Sequence, residues 1–255
     1  MSKLLKIAAA LLAVAVLVAG AYHHWRTKNL GAVQRGWAVA HSNGCFTCHG
    51  DGGRRGMPDP GHGLEDVPPF SGGLITMYAS SEAEIREWIL DGMPKRVRDD
   101  PAQMKLREKA AILMPAWRGI VKGRDLEDVV AYVKAVSDFE KPKDARAQEG
   151  REVAEKFGCF NCHGPQGRGT LPNVRGLQGY IPSWDGADFP ELVENDQELR
   201  DWILDGGTPR LANNRVARWF LARQPIKMPA YRPHVTTTEV DRLVDYVHWV
   251  RQHPY

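Results

Sequence analysis

The chain is written twice. Adding 114 to a position in the first half lands on its partner in the second, with no gap. Gly36 maps to Gly150, Ala40 to Ala154, and Gly44-Cys45-Phe46 to Gly158-Cys159-Phe160. His49-Gly50 maps to His163-Gly164, Gly53-Arg54 to Gly167-Arg168, and Met114-Pro115-Ala116 to Met228-Pro229-Ala230. The stretch Glu84–Gly92 maps to Glu198–Gly206, and Tyr132-Val133 to Tyr246-Val247. A repeat of this length means two copies of one domain, because solenoid units are shorter. A chain of 255 residues has room for both at about 150 residues per domain.

Each copy carries one chemical signature: Cys45-Phe46-Thr47-Cys48-His49 and Cys159-Phe160-Asn161-Cys162-His163. C-x-x-C-H reads as a covalent attachment site for c-type haem. Two thiols three positions apart share one face of a helical turn, and each can form a thioether to the haem edge. The next residue, histidine, offers its imidazole to the iron. These are the only four cysteines, so none is left for another disulfide. Zinc would need the two distant pairs to converge, and neither zinc nor a thioredoxin-like pair explains a histidine directly after each second cysteine. The expected cofactors are therefore two haem c groups, held by Cys45, Cys48, Cys159 and Cys162, with His49 and His163 on the irons.

The net charge of +3 is unevenly placed. Residues 1–30 carry four basic residues and no acid, residues 31–139 sum to −1, and residues 140–255 sum to zero. The alkaline balance thus belongs to the N-terminus, and no basic patch argues for nucleic acid. Lys3 and Lys6 precede an apolar run from Ile7 to Tyr22. Its length lies between a signal-peptide core and a span of about 20 residues. Ala19-Gly20-Ala21 fits a cleavage site, so removal is one reading. Tyr22, Trp25 and Arg26 suit an interfacial anchor, and a retained transmembrane helix over residues 1–30 is the expectation. Either way the rest faces the periplasm of a bacterial cytoplasmic membrane.

Within each copy, short helices joined by Gly/Pro-rich loops are predicted. The first runs over 31–42 and again over 145–157. A middle helix opens on the capping box Ser81-x-x-Glu84 and stops at Gly92, and its repeat opens at Asn195 and stops at Gly206. The last runs over 125–137 and 239–251, with Leu126, Val129, Val130 and Val133 at helical spacing. No alternating strand stands out, so the fold class is all-α. The domains fall at 31–139 and 146–255, joined by a polar linker beginning at Glu140.

A helix with small residues, C-x-x-C-H, a downstream Met-Pro and an aromatic-bearing last helix, in that order, resemble tandem class I cytochrome c domains. Cytochrome c4-like proteins and the membrane-anchored dihaem subunit of cbb3-type oxidases are similar at this level. The resemblance implies that the first and last helices cross closely, at Gly36, Ala40 and Tyr132 and again at Gly150, Ala154 and Tyr246. It leaves several rivals for the second axial ligand: Met57, Met77, Met93, Met104, His41 and His62 in the first copy, and His234, His248 and His253 in the second. The repeat decides, since only Met114 and Met228 pair with each other, each 65 residues after its histidine. The family also implies a proline carbonyl that accepts the proximal His N–H, expected from Pro58 and Pro172. Arg54, Arg168, Trp88 and Trp202 are duplicated candidates for haem propionates. For the tryptophans, packing against the haem is the first reading.

His/Met ligation fills the sixth position and favours the ferrous state. The expected function is therefore single-electron relay between redox protein partners, as a subunit of a quinol-oxidising or terminal oxidase complex. The alternative is a dihaem enzyme, such as a cytochrome c peroxidase or a thiosulfate-oxidising cytochrome. The first needs a displaceable distal ligand, and the second an unusual ligand such as a spare cysteine. A sensor or structural subunit is a third reading.

Overall fold

A computed structural model describes residues 3–28, 30–61 and 66–255, with the side chains of the first helix described over 5–21. That helix is α1 (Lys3–Lys28). The first copy follows as α2 (Ala32–Ser42), α3 (Cys45–His49), α4 (Ile75–Tyr78), α5 (Glu82–Asp91), α6 (Lys95–Arg98), α7 (Pro101–Arg107) and α8 (Arg124–Val136). The second copy is α9 (Ala145–Lys156), α10 (Phe160–His163), α11 (Phe189–Leu192), α12 (Asp196–Asp205), α13 (Pro209–Asn213), α14 (Arg215–Arg223) and α15 (Thr237–Gln252).

Caps explain where the helices begin. The Ser81 hydroxyl accepts from Glu84 N–H, while the Glu84 carboxylate reaches back to Ser80 N–H. In the repeat, the Asn195 side chain accepts from Glu198 N–H. Thr236 and Glu239 close a complete capping box on α15. Each of these groups satisfies an N–H that the helix itself leaves without an acceptor.

Each domain is held by its first and last helices crossing at a glycine. A Cβ on Gly36 would sit 1.8 Å from the Asp128 carbonyl oxygen, and one on Gly150 would sit 1.8 Å from that of Arg242. Backbone therefore touches backbone where α2 meets α8 and where α9 meets α15. Ala40 and Ala154 are fully buried beside these crossings. Tyr132 donates to the Gly52 carbonyl at 2.9 Å, and Tyr246 to the Gln166 carbonyl at 3.2 Å. This ties each last helix to the loop after the haem motif. Leu126, Val129, Val130 and Val133 of α8 face the first core, and Leu243, Val244, Val247 and Val250 of α15 face the second.

The all-α expectation needs one correction. Strands β1 (Leu171–Pro172) and β2 (Tyr180–Ile181) pair antiparallel, Leu171 opposite Ile181. The first copy has a single bridge, Pro58 to Asp66, at the same place. Two residues are too few for an alternating pattern to show.

The segment between the copies is an interface rather than a loose connection. Asp138 pairs with buried Arg151 at 2.5 Å and accepts from Gln166 at 3.1 Å. Gln166 also donates to the Glu140 carbonyl and accepts from the Tyr255 hydroxyl at 3.0 Å. Lys134 of α8 pairs with Glu140 and lies 4.4 Å from the centre of the Tyr255 ring.

Among the described residues, no helix is long and apolar enough to cross a membrane. The expected transmembrane helix is to that extent unsupported. The described side chains of α1 run from Leu5 to Ala21. They are exposed throughout, from Leu5 to Val18. The side chains of Tyr22, Trp25 and Arg26, and all of His62, lie outside the described residues.

Because the crossing is steric, Gly150→Ala should destabilise the second domain by about 3 kcal/mol. Urea denaturation should show its transition moved to lower urea, while Gly150→Ser is at least as damaging.

Candidate functional site

In each domain an apolar cavity lies between the haem-motif turn and the methionine segment. Cys45, Cys48, His49 and Met114 line the first, and Cys159, Cys162, His163 and Met228 line the second. The expected ligand residues of each half thus meet at one cavity. All four cysteines are free thiols. Burial pushes the Cys45 thiol up and the Cys159 thiol up to about 11. That is the reverse of a redox-active pair, which works through a thiolate of depressed pKa. Among the described residues, no three His, Cys, Asp or Glu side chains are grouped to hold a metal ion.

The histidines are oriented from behind. His49 Nδ1 lies 2.8 Å from the Pro68 carbonyl, and His163 Nδ1 lies 2.8 Å from the Pro182 carbonyl. A carbonyl only accepts, so Nδ1 carries the proton and Nε2 keeps its lone pair. Burial holds both rings below the ordinary imidazole range, so they are neutral near pH 7. A neutral imidazole with Nδ1–H engaged and Nε2 bare is the form a metal ligand takes. The carbonyl comes from Pro68 and Pro182, which corrects the expectation of Pro58 and Pro172. The earlier prolines sit in the bridge and the β1 ribbon, and the chain needs 19 residues, not nine, to return behind the ring.

The methionine segments are tethered at both ends. Trp117 N–H donates to the Ile89 carbonyl and Arg118 N–H to the Leu90 carbonyl, both at 3.1 Å. Tyr231 and Arg232 repeat this onto Ile203 and Leu204. These carbonyls end the middle helices and would otherwise lack partners. Arg118 also forks onto Asp91, both contacts at 2.8 Å, and Arg232 onto Asp205. Gly92 and Gly206 have φ of 72° and 73°, and a Cβ on either would lie 2.4 Å from the oxygen of Met114 or Met228. The stop signal of the middle helix is therefore also the floor beneath the methionine.

The other tether escaped the sequence reading. Asp59, almost wholly buried in the first cavity wall, accepts from Ala111 N–H at 2.8 Å and Ile112 N–H at 3.0 Å. Its repeat, Asn173, accepts from Ile226 N–H at 3.2 Å and donates to the Ile226 carbonyl at 2.9 Å. Both hold the chain two residues before the methionine. The signal lay in the repeat, where a short polar side chain recurs at offset 114, but it was hidden among other loop polar residues.

The propionate candidates fare differently. Trp88 and Trp202 line the cavities, and their indole N–H groups donate to the Tyr78 and Leu192 carbonyls at 3.0 Å. They are wall residues with their donors already engaged. Arg54 is exposed, whereas Arg168 is completely buried behind the second domain. Arg168 contacts Asp185 Oδ2 and the Val250 carbonyl at 3.3 Å and stacks 4.3 Å from the Tyr255 ring. It is held inside the second domain, under Tyr255, and does not line the cavity. Of the rival ligands, Met77 reaches the first cavity wall but is 68 % exposed, and its repeat Glu191 does not line the second. His41 stacks on Trp37, and His248 meets Asp196 at 2.8 Å.

Comparison with known proteins agrees with this geometry. Residues 145–247 match the family described as cytochrome c oxidase, cbb3-type, subunit III. The second half carries a cytochrome c domain of that kind. A cbb3-type cytochrome c oxidase subunit FixP from Azorhizobium caulinodans is 26% identical over 181 residues, covering 70% of this chain and 54% of that protein. Cytochrome c oxidase subunit 2 from Alkalihalophilus pseudofirmus is 26% identical over 123 residues, covering 46% of this chain and 30% of that protein. The chain thus spans about half or less of the length of these relatives. No solved structure matches. A cytochrome c domain implies haem c with iron. Paired free thiols, a bare imidazole nitrogen and a thioether on one apolar cavity fit that group in both halves.

Asn173→Ala should cost the second domain about 2–3 kcal/mol, because it leaves the Ile226 N–H and carbonyl without their partner. Asp59→Asn keeps the accepting oxygen and should cost the first domain under about 1 kcal/mol. Urea titration of the two variants checks both values.

Proposed function

We propose that the chain is a dihaem electron carrier working as a subunit of, or docked to, a respiratory oxidase complex. The observation that carries this reading is the identical constellation in both halves: two thiols, an oriented neutral histidine and a tethered methionine on one cavity. On this reading, Cys45, Cys48, Cys159 and Cys162 bind two haems covalently. His49 with Met114, and His163 with Met228, would hold the two irons, with domains at 31–139 and 146–255. Haem iron supplies the one-electron chemistry. The protein's part would be to hold Nε2 and the thioether sulfur in place, exclude water with the apolar walls, and leave no iron position open to an outside ligand. Filled positions favour relay over peroxide or substrate chemistry. The names of the relatives favour an oxidase as the partner, and a quinol-oxidising complex is the other candidate.

The reading extends to position in the cell. A 26-residue helix with exposed Leu5, Ile7, Leu11, Leu12, Val14, Val16, Leu17 and Val18 leaves an apolar surface that water disfavours. Lys3 and Lys6 favour the cytoplasmic side, so both domains would face the periplasm. This supports membrane attachment by α1. If it is correct, the chain stays in the pellet after alkaline carbonate washing, and deleting residues 1–28 releases it. A full-length chain that washes off would overturn the attachment.

The haem reading is tested by pyridine haemochrome analysis of the exported protein. Two haem c groups per chain are expected, and one after Cys159→Ala/Cys162→Ala. Met228→Ala should convert one of the two haems to a high-spin form that binds carbon monoxide. A wild-type chain that already binds carbon monoxide stoichiometrically at either haem would sink the relay in favour of an enzyme.

A further inference from the structure

The second domain is electrically two-faced. Residues 206–234 contain six basic residues and no acid, whereas the remainder of 140–255 has ten basic and sixteen acidic residues. The domain sums to zero only by cancelling +6 against −6. Two of the six cations are neutralised locally, Arg210 by Glu198 and Arg232 by Asp205. Arg215, Arg218, Arg223 and Lys227 are exposed and make no ion pair among the described residues.

These cations surround exposed apolar side chains. Trp219 on α14 is 53 % exposed, with the Arg223 guanidinium stacked 4.5 Å from its ring centre and Phe220 edge-on at 4.8 Å. Val216, one turn back, is 64 % exposed. The opposite face of α14 packs inward through Ala217 and Leu221, so the helix is fixed and its Trp219 face is presented outward. Leu221 on the inward face, and Gln224, Ile226 and Lys227 just after the helix, line the wall of the second cavity up to Met228. The equivalent stretch of the first copy, 92–120, mixes seven basic with three acidic residues, and its helix α7 has seven residues against nine. This surface belongs to the second copy alone.

We propose that the outward face of α14, built on Arg215, Val216, Arg218, Trp219 and Arg223, docks an acidic one-electron redox protein against the second cavity. This rests on the relay reading above and names the chemistry of the partner. The four unpaired cations steer an acidic surface to the methionine side of the cavity. Val216 and Trp219 are then desolvated at the centre of the contact, where tryptophan and arginine supply most of the binding energy in protein interfaces. One electron crosses per encounter, and whichever centre gives it up is oxidised as the other is reduced. An anionic membrane surface is the other taker of a basic, tryptophan-bearing helix. Exposed Lys227 lines the cavity itself and continues this basic surface, which favours the protein, because a membrane lying there would cover the route that a partner needs.

The test uses the full-length haem-loaded chain and stopped-flow mixing with three probes: an acidic blue-copper protein, a basic cytochrome c and a neutral ferrocene derivative. With the acidic protein, the second-order rate constant should fall steeply with added salt. Arg215→Glu/Arg218→Glu/Arg223→Glu should lower it at least tenfold at low salt and flatten the salt dependence, and Trp219→Ala should lower it severalfold without flattening. Rates with ferrocene should be unchanged in both variants, and an unaltered reduced absorption spectrum shows intact domains. Equal rates for wild type and the triple variant with the acidic protein would overturn the proposal. So would a faster reaction with the basic cytochrome, or loss of binding to phosphatidylglycerol vesicles with no change in the protein-protein rate. Failure to exchange electrons with ferrocene would instead overturn the relay reading itself.

Discussion

The crossing of first and last helices at a glycine sets the geometry of each domain. At 1.8 Å from a facing carbonyl, the Cβ of any other residue would force the helices apart. Their separation fixes where the tyrosine hydroxyls of α8 and α15 reach, and those hydroxyls hold the loop that follows the haem motif. That loop returns behind the histidine to place the proline carbonyl on Nδ1. The tautomer of the imidazole therefore depends, through one hydroxyl and one loop, on a missing methyl group at a helix crossing.

The far side of each cavity is built on the same economy of partners. A helix end leaves carbonyls without donors, and the methionine segment supplies them. A buried short polar side chain then fastens the same segment to the opposite loop. The methionine is thereby held between two fixed points, close to the middle helix and across from the histidine. Holding a ligand before its metal arrives limits the conformational entropy lost on binding.

Much of this was legible in the sequence because repetition acts as its own control. A feature that recurs at offset 114 is selected from the noise, which is how Met114 and Met228 stood out from five other methionines and how the caps at Ser81 and Asn195 were read. What stayed hidden was contact chemistry that residue type does not announce. The accepting group behind each histidine is a backbone carbonyl, so which proline supplies it depends on the path of a loop. Arg168 carries the same letter as Arg54, yet it is buried whereas Arg54 faces water, because Asp185 and Tyr255 meet it where the first copy has Ser71 and Lys141. Asp59 and Asn173 differ in letter and do the same job.

The copies agree in ligands and differ in the charge of their walls. Asp59 and half-buried Arg107 line the first cavity, where Asn173 and Leu221 stand in the second. Arg107 lies 5.4 Å over the Trp88 ring with no acid in an ion pair among the described residues, and burial lowers its pKa. A wall carboxylate favours the more positive, oxidised state of a nearby centre, and a wall cation favours the reduced state. On the relay reading, Asp59, Arg96 and Arg107 line the first pocket, whereas the charged side chain on the wall of the second is Lys227. On that same reading the ligand sets would make both centres electron carriers, and any difference in potential between them would originate in the residues that broke the repeat.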